Sequence, residues 1–191
     1  MKHFEVIIFS RPLIKGKVKT RLAVDIGNEK AFTIYQKLFD QTIRSVEKSG
    51  FPYKIYYSSD HASNRRPSAI QHGYDLGERM SNAFQEELKD HDAICIIGCD
   101  CFELKDQHLH AAVQLLKKND VVLGPAKDGG YYLIGMKIHL AFLFNDISWG
   151  SDHVLNETLQ RCKANDVTVE LLPTLNDIDR AEDIPPKLQV K

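Results

Sequence analysis

The sequence predicts an α/β protein with a mostly parallel central sheet and helices on both faces, and two observations lead to this prediction. Short runs of apolar, β-branched residues alternate with amphipathic segments, which is the order of strands and helices in such a sheet. Several of the apolar runs are continuous, as expected for strands that are covered on both faces. The 191 residues, of which 43% are hydrophobic, suit a single domain over residues 1–191.

The apolar runs and the amphipathic segments place the elements in order. Strands are expected at 6–9, 54–57, 69–71, 92–98, 121–123, 131–134 and 167–172. Helices are expected from Asn28, as the N-cap, to just before Gly50, and at 79–88, 109–116 and 154–162. The strand at 131–134 follows its predecessor through Asp128-Gly129-Gly130, so it is expected to be the one antiparallel strand. Ligands of such sheets bind at the carboxyl ends of the strands.

Charge and composition exclude several classes of protein. The 25 basic and 26 acidic residues give a net charge of -1, which removes the argument for binding a nucleic-acid polymer or a membrane surface. No apolar run approaches the roughly 18 residues of a membrane span, and the first residues lack the apolar region of a signal peptide. Four scattered cysteines form no disulfide framework, so we expect a cytoplasmic protein without membrane insertion.

Positive charge is concentrated after the first predicted strand. Five of the 25 basic residues fall between Arg11 and Arg21, with no acid among them. Such a loop suits a phosphate or a diphosphate, although a solvated basic loop remains the alternative. Neither a P-loop nor a dinucleotide-binding motif is present. The candidate phosphate-binding residues are Arg11, Gly16, Lys17, Lys19, Thr20 and Arg21.

Single carboxylates follow two of the other strands. Asp100, after the strand at 92–98, could bind Mg²⁺ or Mn²⁺ between the protein and substrate phosphates, or it could cap the following turn. Cys99 and Cys101 are interpreted as packing residues, because a thiolate zinc site needs further partners. Asp128 has the sequence context of a hairpin turn, and is also a candidate second metal ligand or catalytic base.

Further candidates lie at two predicted helix starts and beside Asp128. Asp75, Gly77 and Arg79 open a helix whose backbone N–H groups could meet a nucleotide. The acidic segment 177–183 is either a helix start, with Asp179 as N-cap, or part of the site. Tyr131 and Tyr132 could face an acceptor.

Six segments spread over nearly the whole chain carry motifs in a recognisable order: 16–22, 71–80, 98–101, 120–135, 147–149 and 177–179. Together they resemble a bacterial family of small GT-A-type glycosyltransferases, within the nucleotide-diphospho-sugar transferase superfamily, some of which are described as arsenosugar-biosynthesis-type glycosyltransferases. The resemblance implies a Rossmann-like GT-A fold, a divalent metal at Asp100 and a nucleoside diphosphate held by Lys19-Thr20-Arg21. It also adds Trp149 to the candidate acceptor pocket of Tyr131 and Tyr132.

The sequence departs from the family pattern at three places. Arg11-Pro12-Leu13 replaces the usual Lys-x-Pro, and Phe102 replaces a proline. Cys99-Asp100-Cys101 supplies one carboxylate where glycosyltransferases usually have D-x-D. A second metal ligand must then come from elsewhere, and Asp128 and Asp177 are the candidates.

Two chemistries and one non-catalytic function are compatible with these motifs. The favoured function is glycosyl transfer from a sugar nucleotide to a small-molecule acceptor, with Lys19 and Asp128 as catalytic residues. The alternative is nucleotidyl transfer from a nucleoside triphosphate, because Lys19-Thr20-Arg21-Leu22 is similar to a segment of phospholactate guanylyltransferases. The Gly-Gly-x-Ser-x-Arg loop of molybdopterin guanylyltransferases is missing. A nucleotide-binding protein without turnover is the third possibility.

Overall fold

The fold is built on a seven-stranded sheet with helices on both faces, as a computed structural model that describes residues 3–60 and 66–189 shows. The strands are β1 (Phe4–Ser10), β2 (Tyr53–Tyr57), β3 (Ser68–Ile70), β4 (Ala93–Ile97), β5 (Val121–Pro125), β6 (Tyr131–Met136) and β7 (Val169–Leu171). The α-helices are α1 (Thr20–Ile26), α2 (Asn28–Ser49), α3 (Leu76–Glu87), α4 (Asp106–Leu116) and α5 (Val154–Ala164). Short 3₁₀ turns lie at Ala141–Leu143, Ala181–Asp183 and Pro186–Leu188.

The strand order is β3-β2-β1-β4-β6-β5-β7, and β6 alone among these strands runs antiparallel to its neighbours. The chain first adds β2 and β3 on one side of β1 and then returns to place β4 on the other side. The order therefore reverses between β1 and β4. In open α/β sheets, the carboxyl ends of the two strands at this reversal flank a crevice, and ligands bind there.

The continuous apolar runs fill both faces of the sheet. On one face, Ile8 and Cys95 pack with side chains of α2 and α4. On the other, Ile7 and Ile94 pack with side chains of α3 and α5. Successive strand residues point to opposite faces, so a strand that is apolar at every position is buried on both. None of the described helices combines the length and hydropathy needed to cross a membrane.

The predicted α/β class and the single antiparallel strand are confirmed, while three local features differ from expectation. Helix α1 was not predicted. Helix α2 begins at Asn28 itself, and its N-cap is Gly27 rather than Asn28. Strand β7 covers only Val169–Leu171, because it pairs with β5 at the edge of the sheet over three residues.

Candidate functional site

A cleft of about 680 Å³ opens at the carboxyl ends of β1 and β4. This volume is in the usual range for small-molecule sites. The loops after β1, β4 and β5 all contribute to its lining. Its charged lining residues are Arg11, Lys19, Arg21, Arg79, Asp100, Asp128, Asp177 and Asp179. Most of the residues selected from the sequence are thus brought together at the place that the topology indicates.

Lys19 lies at the centre of the charged groups. Its backbone is left-handed, with φ 48° and ψ 45°, a conformation that costs a non-glycine residue about 1 kcal/mol or more. Its side chain is only 5% exposed, and its Nζ lies 2.7 Å from Asp100 Oδ1 and 3.2 Å from Asp179 Oδ1. Burial favours the neutral amine and lowers the pKa of Lys19, but the two carboxylates have the larger effect. The pKa of Lys19 therefore lies above its ordinary value. Lys19 is therefore a buried, permanently charged ammonium.

Asp179 is a cation partner in the cleft and not an N-cap, which were the two interpretations that the sequence left open. Its Oδ2 accepts a hydrogen bond from Arg21 at 3.1 Å, while its Oδ1 meets Lys19. Burial opposes the ionisation of Asp179, but Lys19 and Arg21 prevail and lower its pKa. The 3₁₀ turn Ala181–Asp183 is capped instead by Asp183, which accepts hydrogen bonds from the backbone N–H groups of Asp179 and Arg180.

The C-terminal segment that carries Asp177 and Asp179 is fixed against the ends of β5 and β4. Leu175 bonds through its N–H to Pro125 O at 3.0 Å, and Ile178 bonds through its N–H to Asp100 O at 3.0 Å. Burial, together with the negative charge of Asp128, raises the pKa of Asp177 to about 6. The cleft thus holds carboxylates whose mutual repulsion is only partly compensated.

Tyr35 fixes the start of the basic loop. Its hydroxyl lies 3.0 Å from Ser10 Oγ, accepts a hydrogen bond from the Arg11 N–H at 3.0 Å and donates to Arg11 O at 3.2 Å. By helical periodicity Tyr35 belongs to the apolar face of α2. Its phenol end reaches the cleft while its ring packs in the core, so helical periodicity alone could not reveal this second role.

Asp128 lies in the turn between β5 and β6 and lines the cleft as well. Its Oδ1 accepts a hydrogen bond from the Gly130 N–H at 2.9 Å, as the hairpin interpretation predicts. Cys99 and Cys101 are free and buried, and burial raises the pKa of both thiols, that of Cys99 to about 12. They stay protonated and pack, in agreement with the sequence interpretation.

The aromatic candidates lie along the same cleft. Tyr131, Tyr132 and Trp149 all contribute to the lining, and the rings of Tyr131 and Trp149 meet edge to face at 6.5 Å. The Tyr132 hydroxyl donates to Pro173 O at 3.1 Å, which fixes that ring. Trp149 packs directly on Gly77, at the start of α3. The loop that carries Trp149 is thereby held against the start of α3, which also lines the cleft.

The close contact between Trp149 and Gly77 can be tested by its effect on stability. A Cβ at Gly77 would lie 2.6 Å from Trp149 Cε2, so Gly77→Ala must force the indole or the helix start to move. We expect a loss of about 1–3 kcal/mol in the free energy of unfolding, measured by urea denaturation. Gly98→Ala is the matched control, since nothing lies within 4 Å of its added Cβ. An equal loss in both variants would contradict the contact.

Four candidate phosphate-binding residues do not line this cleft. Gly16 and Lys17 are exposed on the outer part of the basic loop, where the Lys17 carbonyl faces the Arg11 guanidinium at 3.5 Å. Asp75 caps α3 by accepting a hydrogen bond from the Glu78 N–H at 2.8 Å. Gly77 packs under Trp149.

Comparison with known proteins places the chain in a family. The family model of DUF2064, described as uncharacterised proteins conserved in bacteria, matches residues 52–151, just over half of the chain. The chain belongs to the DUF2064 family. The comparison with curated proteins gave no match.

Solved structures support the fold of this DUF2064 protein. One is from Desulfovibrio desulfuricans G20 and is provisionally named a nucleotide-diphospho-sugar transferase; it is 30% identical, with 94% of this chain and 84% of that chain covered and a TM-score of 0.88. Another is the inositol-1-phosphate CTP transferase from T. maritima, at 14% identity, 96% and 92% coverage and a TM-score of 0.66. A third is Rv0371c from Mycobacterium tuberculosis H37Rv in complex with manganese, at 10% identity, 95% and 96% coverage and a TM-score of 0.57. The predicted superfamily is confirmed, and the fold is that of nucleotide-sugar and nucleotidyl transferases.

A second group of polar side chains in the DUF2064 protein lies near the amino ends of β1 and β4, at the opposite end of these strands from the cleft. Ligand atoms of Glu5, Glu87 and His91 lie within 4.8 Å of one another, close enough to hold one cation. Internal partners already engage two of the three residues. Glu87 Oε1 accepts from Lys54 at 2.7 Å and from Tyr56 at 2.6 Å, and His91 Nδ1 lies 2.9 Å from Glu87 O. The Glu87 side chain is also only 9% exposed, which leaves little access for the water or phosphate oxygens that complete the coordination of a divalent cation.

Glu5 gives this group a pH-dependent effect on stability. Its Oε2 has no hydrogen-bond partner within residues 3–60 and 66–189, and burial, followed by the charge of Glu87, raises the pKa of Glu5. An acid with a raised pKa stabilises the fold at low pH and loses that contribution as the pH rises through the raised value.

Glu5→Gln copies the protonated form at every pH, so it is expected to melt above the wild type at pH 8 and together with it at pH 4. A gain of about 1 kcal/mol corresponds to roughly 2–4 °C in thermal unfolding of a domain of this size. Glu182→Gln, at an exposed site, is the control. A melting temperature of Glu5→Gln that follows the wild type at both pH values would contradict the role of Glu5.

The chemistry of the cleft fits a divalent metal better than the Glu5 group does. Asp100 has a side chain that is 50% exposed, and Asp128 and Asp177 supply further carboxylate oxygens, which Mg²⁺ and Mn²⁺ prefer. Only one or two protein carboxylates are needed when substrate phosphates complete the coordination. The pKa of Asp177 is raised first by burial and then by the negative charge of Asp128, and a cation between these two carboxylates would neutralise that charge.

Proposed function

We propose that this protein is a metal-dependent glycosyltransferase that takes its sugar from a nucleoside diphosphate sugar and passes it to a small-molecule acceptor. One observation supports this proposal above the others. The buried ammonium of Lys19 and the half-exposed carboxylate of Asp100 lie side by side at the carboxyl ends of β1 and β4. A phosphate and a divalent metal are the ligands that this pair of charges suits.

The basic loop is proposed to hold the diphosphate. Lys19 provides a point charge from the floor of the cleft, and Arg11 and Arg21 provide planar guanidinium groups from its edge. Thr20 lines the same wall at the start of α1, where it adds a hydroxyl. In glycosyl transfer the negative charge that develops on the departing nucleoside diphosphate would be stabilised by these groups.

The metal is proposed to lie at Asp100, with Asp128 or Asp177 as the second ligand. When bound, such an ion stabilises the charge of the leaving diphosphate as a Lewis acid. The charge balance of the cleft supports joint binding. Four basic and four acidic side chains line it, so a diphosphate together with a divalent cation preserves the balance that either ligand alone would disturb.

The acceptor is proposed to bind beside Asp128, Tyr131, Tyr132 and Trp149. The hydrogen bond from the Gly130 N–H orients the Asp128 carboxylate, which could accept the proton of the acceptor hydroxyl. The aromatic rings supply an apolar wall of the kind that small-molecule sites present. The name of the D. desulfuricans protein agrees with a nucleotide-sugar substrate.

Nucleotidyl transfer is the second candidate. Lys19-Thr20-Arg21-Leu22 supports it, since this segment would be placed equally well to hold the pyrophosphate that leaves a nucleoside triphosphate. The T. maritima protein has the same fold, and its name describes a CTP transferase. The non-catalytic alternative is based on the single carboxylate of Asp100 and on the two loop departures, at Arg11-Pro12-Leu13 and at Phe102. The first ground weakens because three further carboxylates line the cleft, and the second stands.

The products released from a panel of nucleotides test the proposal. The purified protein would be incubated with Mn²⁺, candidate acceptors, sugar nucleotides and nucleoside triphosphates, with a parallel set in a chelator. We expect metal-dependent release of nucleoside diphosphate from at least one sugar nucleotide. Pyrophosphate release from a triphosphate would replace the first candidate by the second, and tight binding without either product would favour the non-catalytic function.

A further inference from the structure

Lys19 occupies a position in which it competes with the proposed metal. Its Nζ lies 2.7 Å from Asp100 Oδ1, inside a cluster where the Lys19 side chain is 5% exposed. A divalent cation on either oxygen of the same carboxylate would lie within a few ångströms of the ammonium. Solvent screens charges poorly where a side chain is so deeply buried, so the repulsion between the two cations is strong.

A phosphate offers Lys19 another partner. The ammonium cannot leave Asp100 for water without losing its ion pairs, because its side chain is buried and Asp100 and Asp179 are its charged partners in the described residues. The surrounding loop supplies Arg11 and Arg21, which would bring a phosphate to the same wall of the cleft. Transfer of Lys19 from carboxylate to phosphate exchanges one charge-assisted contact for another.

We propose that Lys19 acts as an exchangeable cation: it blocks Asp100 in the free protein and moves to a phosphate of the nucleotide, which opens Asp100 to the divalent metal. This inference rests on the proposed nucleotide and metal sites. Its consequence is that the metal and the nucleotide bind cooperatively, since each favours the same displacement of Lys19 and such coupling is reciprocal. The free protein therefore binds metal weakly, whatever its affinity in the presence of nucleotide.

Removing the ammonium tests the exchange without any nucleotide. Mn²⁺ is titrated into Lys19→Met, and the free ion is measured by its electron paramagnetic resonance signal. We expect the variant to bind Mn²⁺ at least about tenfold more tightly than the wild type, within the range usual for coupled sites. An unchanged or weaker affinity would overturn the proposal.

Arg21→Met is the matched control, because Arg21 contributes a positive charge to the same cluster and pairs with Asp179 but not with Asp100. It should change Mn²⁺ affinity much less than Lys19→Met does. An equal rise in both variants would mean a general effect of charge and would also overturn the exchange. Should circular dichroism show that Lys19→Met is unfolded, Lys19→Gln repeats the test with a neutral side chain that keeps N–H donors.

Binding of a nucleoside diphosphate to the wild type, measured separately by calorimetry, distinguishes this inference from the proposed function. Tighter Mn²⁺ binding in Lys19→Met with no nucleotide binding in the wild type would mean that Lys19 blocks Asp100 but has no phosphate to move to, and it would overturn both the exchange and the proposed function. Metal-dependent nucleotide binding in the wild type with no gain in Lys19→Met would support the function and overturn the exchange.

Discussion

Asp100→Asn is expected to abolish Mn²⁺-dependent nucleotide binding and to lower turnover by about 100-fold or more, the usual range for losing a group that stabilises developing charge. The amide is nearly the same size as the carboxylate, but it carries no charge to hold the metal. It also removes one of the two ion pairs of the buried Lys19. Calorimetric titration of a sugar nucleotide with and without Mn²⁺ measures the binding loss.

Asp90→Asn controls for the loss of a carboxylate as such. Asp90 is exposed in the turn between α3 and β4, at the amino end of β4 and away from the cleft. We expect this variant to keep wild-type binding. Undiminished Mn²⁺-dependent binding in Asp100→Asn would remove Asp100 from the site.

Lys19→Ala has the second large expected effect. Loss of the ammonium should weaken a nucleoside diphosphate by about 10- to 100-fold, as for a charge-assisted contact of roughly 1.5–3 kcal/mol, and should leave the nucleoside nearly unaffected. The difference arises because only the diphosphate presents charge to Lys19. Binding constants for the two ligands, measured under the same conditions, give the ratio.

Lys17→Ala is the matched control for this prediction. Lys17 lies in the same basic loop with the same charge, but it is exposed and does not line the cleft. It should change the affinity for diphosphate only slightly. Equal weakening of diphosphate and nucleoside by Lys19→Ala would mean that the loop is not a phosphate site.

The sequence was sufficient to predict the sheet and the general position of the site. Continuous apolar strands such as Ala93–Ile97 predicted burial on both faces, and the carboxyl-end rule then selected the loops after β1, β4 and β5. Asp100 and Lys19 could be selected for this reason. Their 2.7 Å contact could not be predicted, because the two residues are far apart in the sequence and no local pattern indicates the left-handed backbone of Lys19.

Other features depend on contacts between distant parts of the chain. Asp179 meets Lys19 across a sequence separation of 160 residues, so local signals left open whether it caps a helix or belongs to the site. Helix α1 has no side-chain cap and only one buried residue, Leu22, so it offers neither a start signal nor an amphipathic pattern. Gly77 had the sequence context of a nucleotide-binding helix start, whereas its close contact with Trp149 is tertiary.

The position of bound manganese tests the central claim most directly. Crystals grown with Mn²⁺ and a sugar nucleotide would be measured near the manganese absorption edge, so that anomalous scattering locates the ion. We predict a peak at Asp100, with the diphosphate between the ion and Lys19. A manganese peak at Glu5, Glu87 and His91 alone, or a diphosphate bound away from Lys19, would contradict the account.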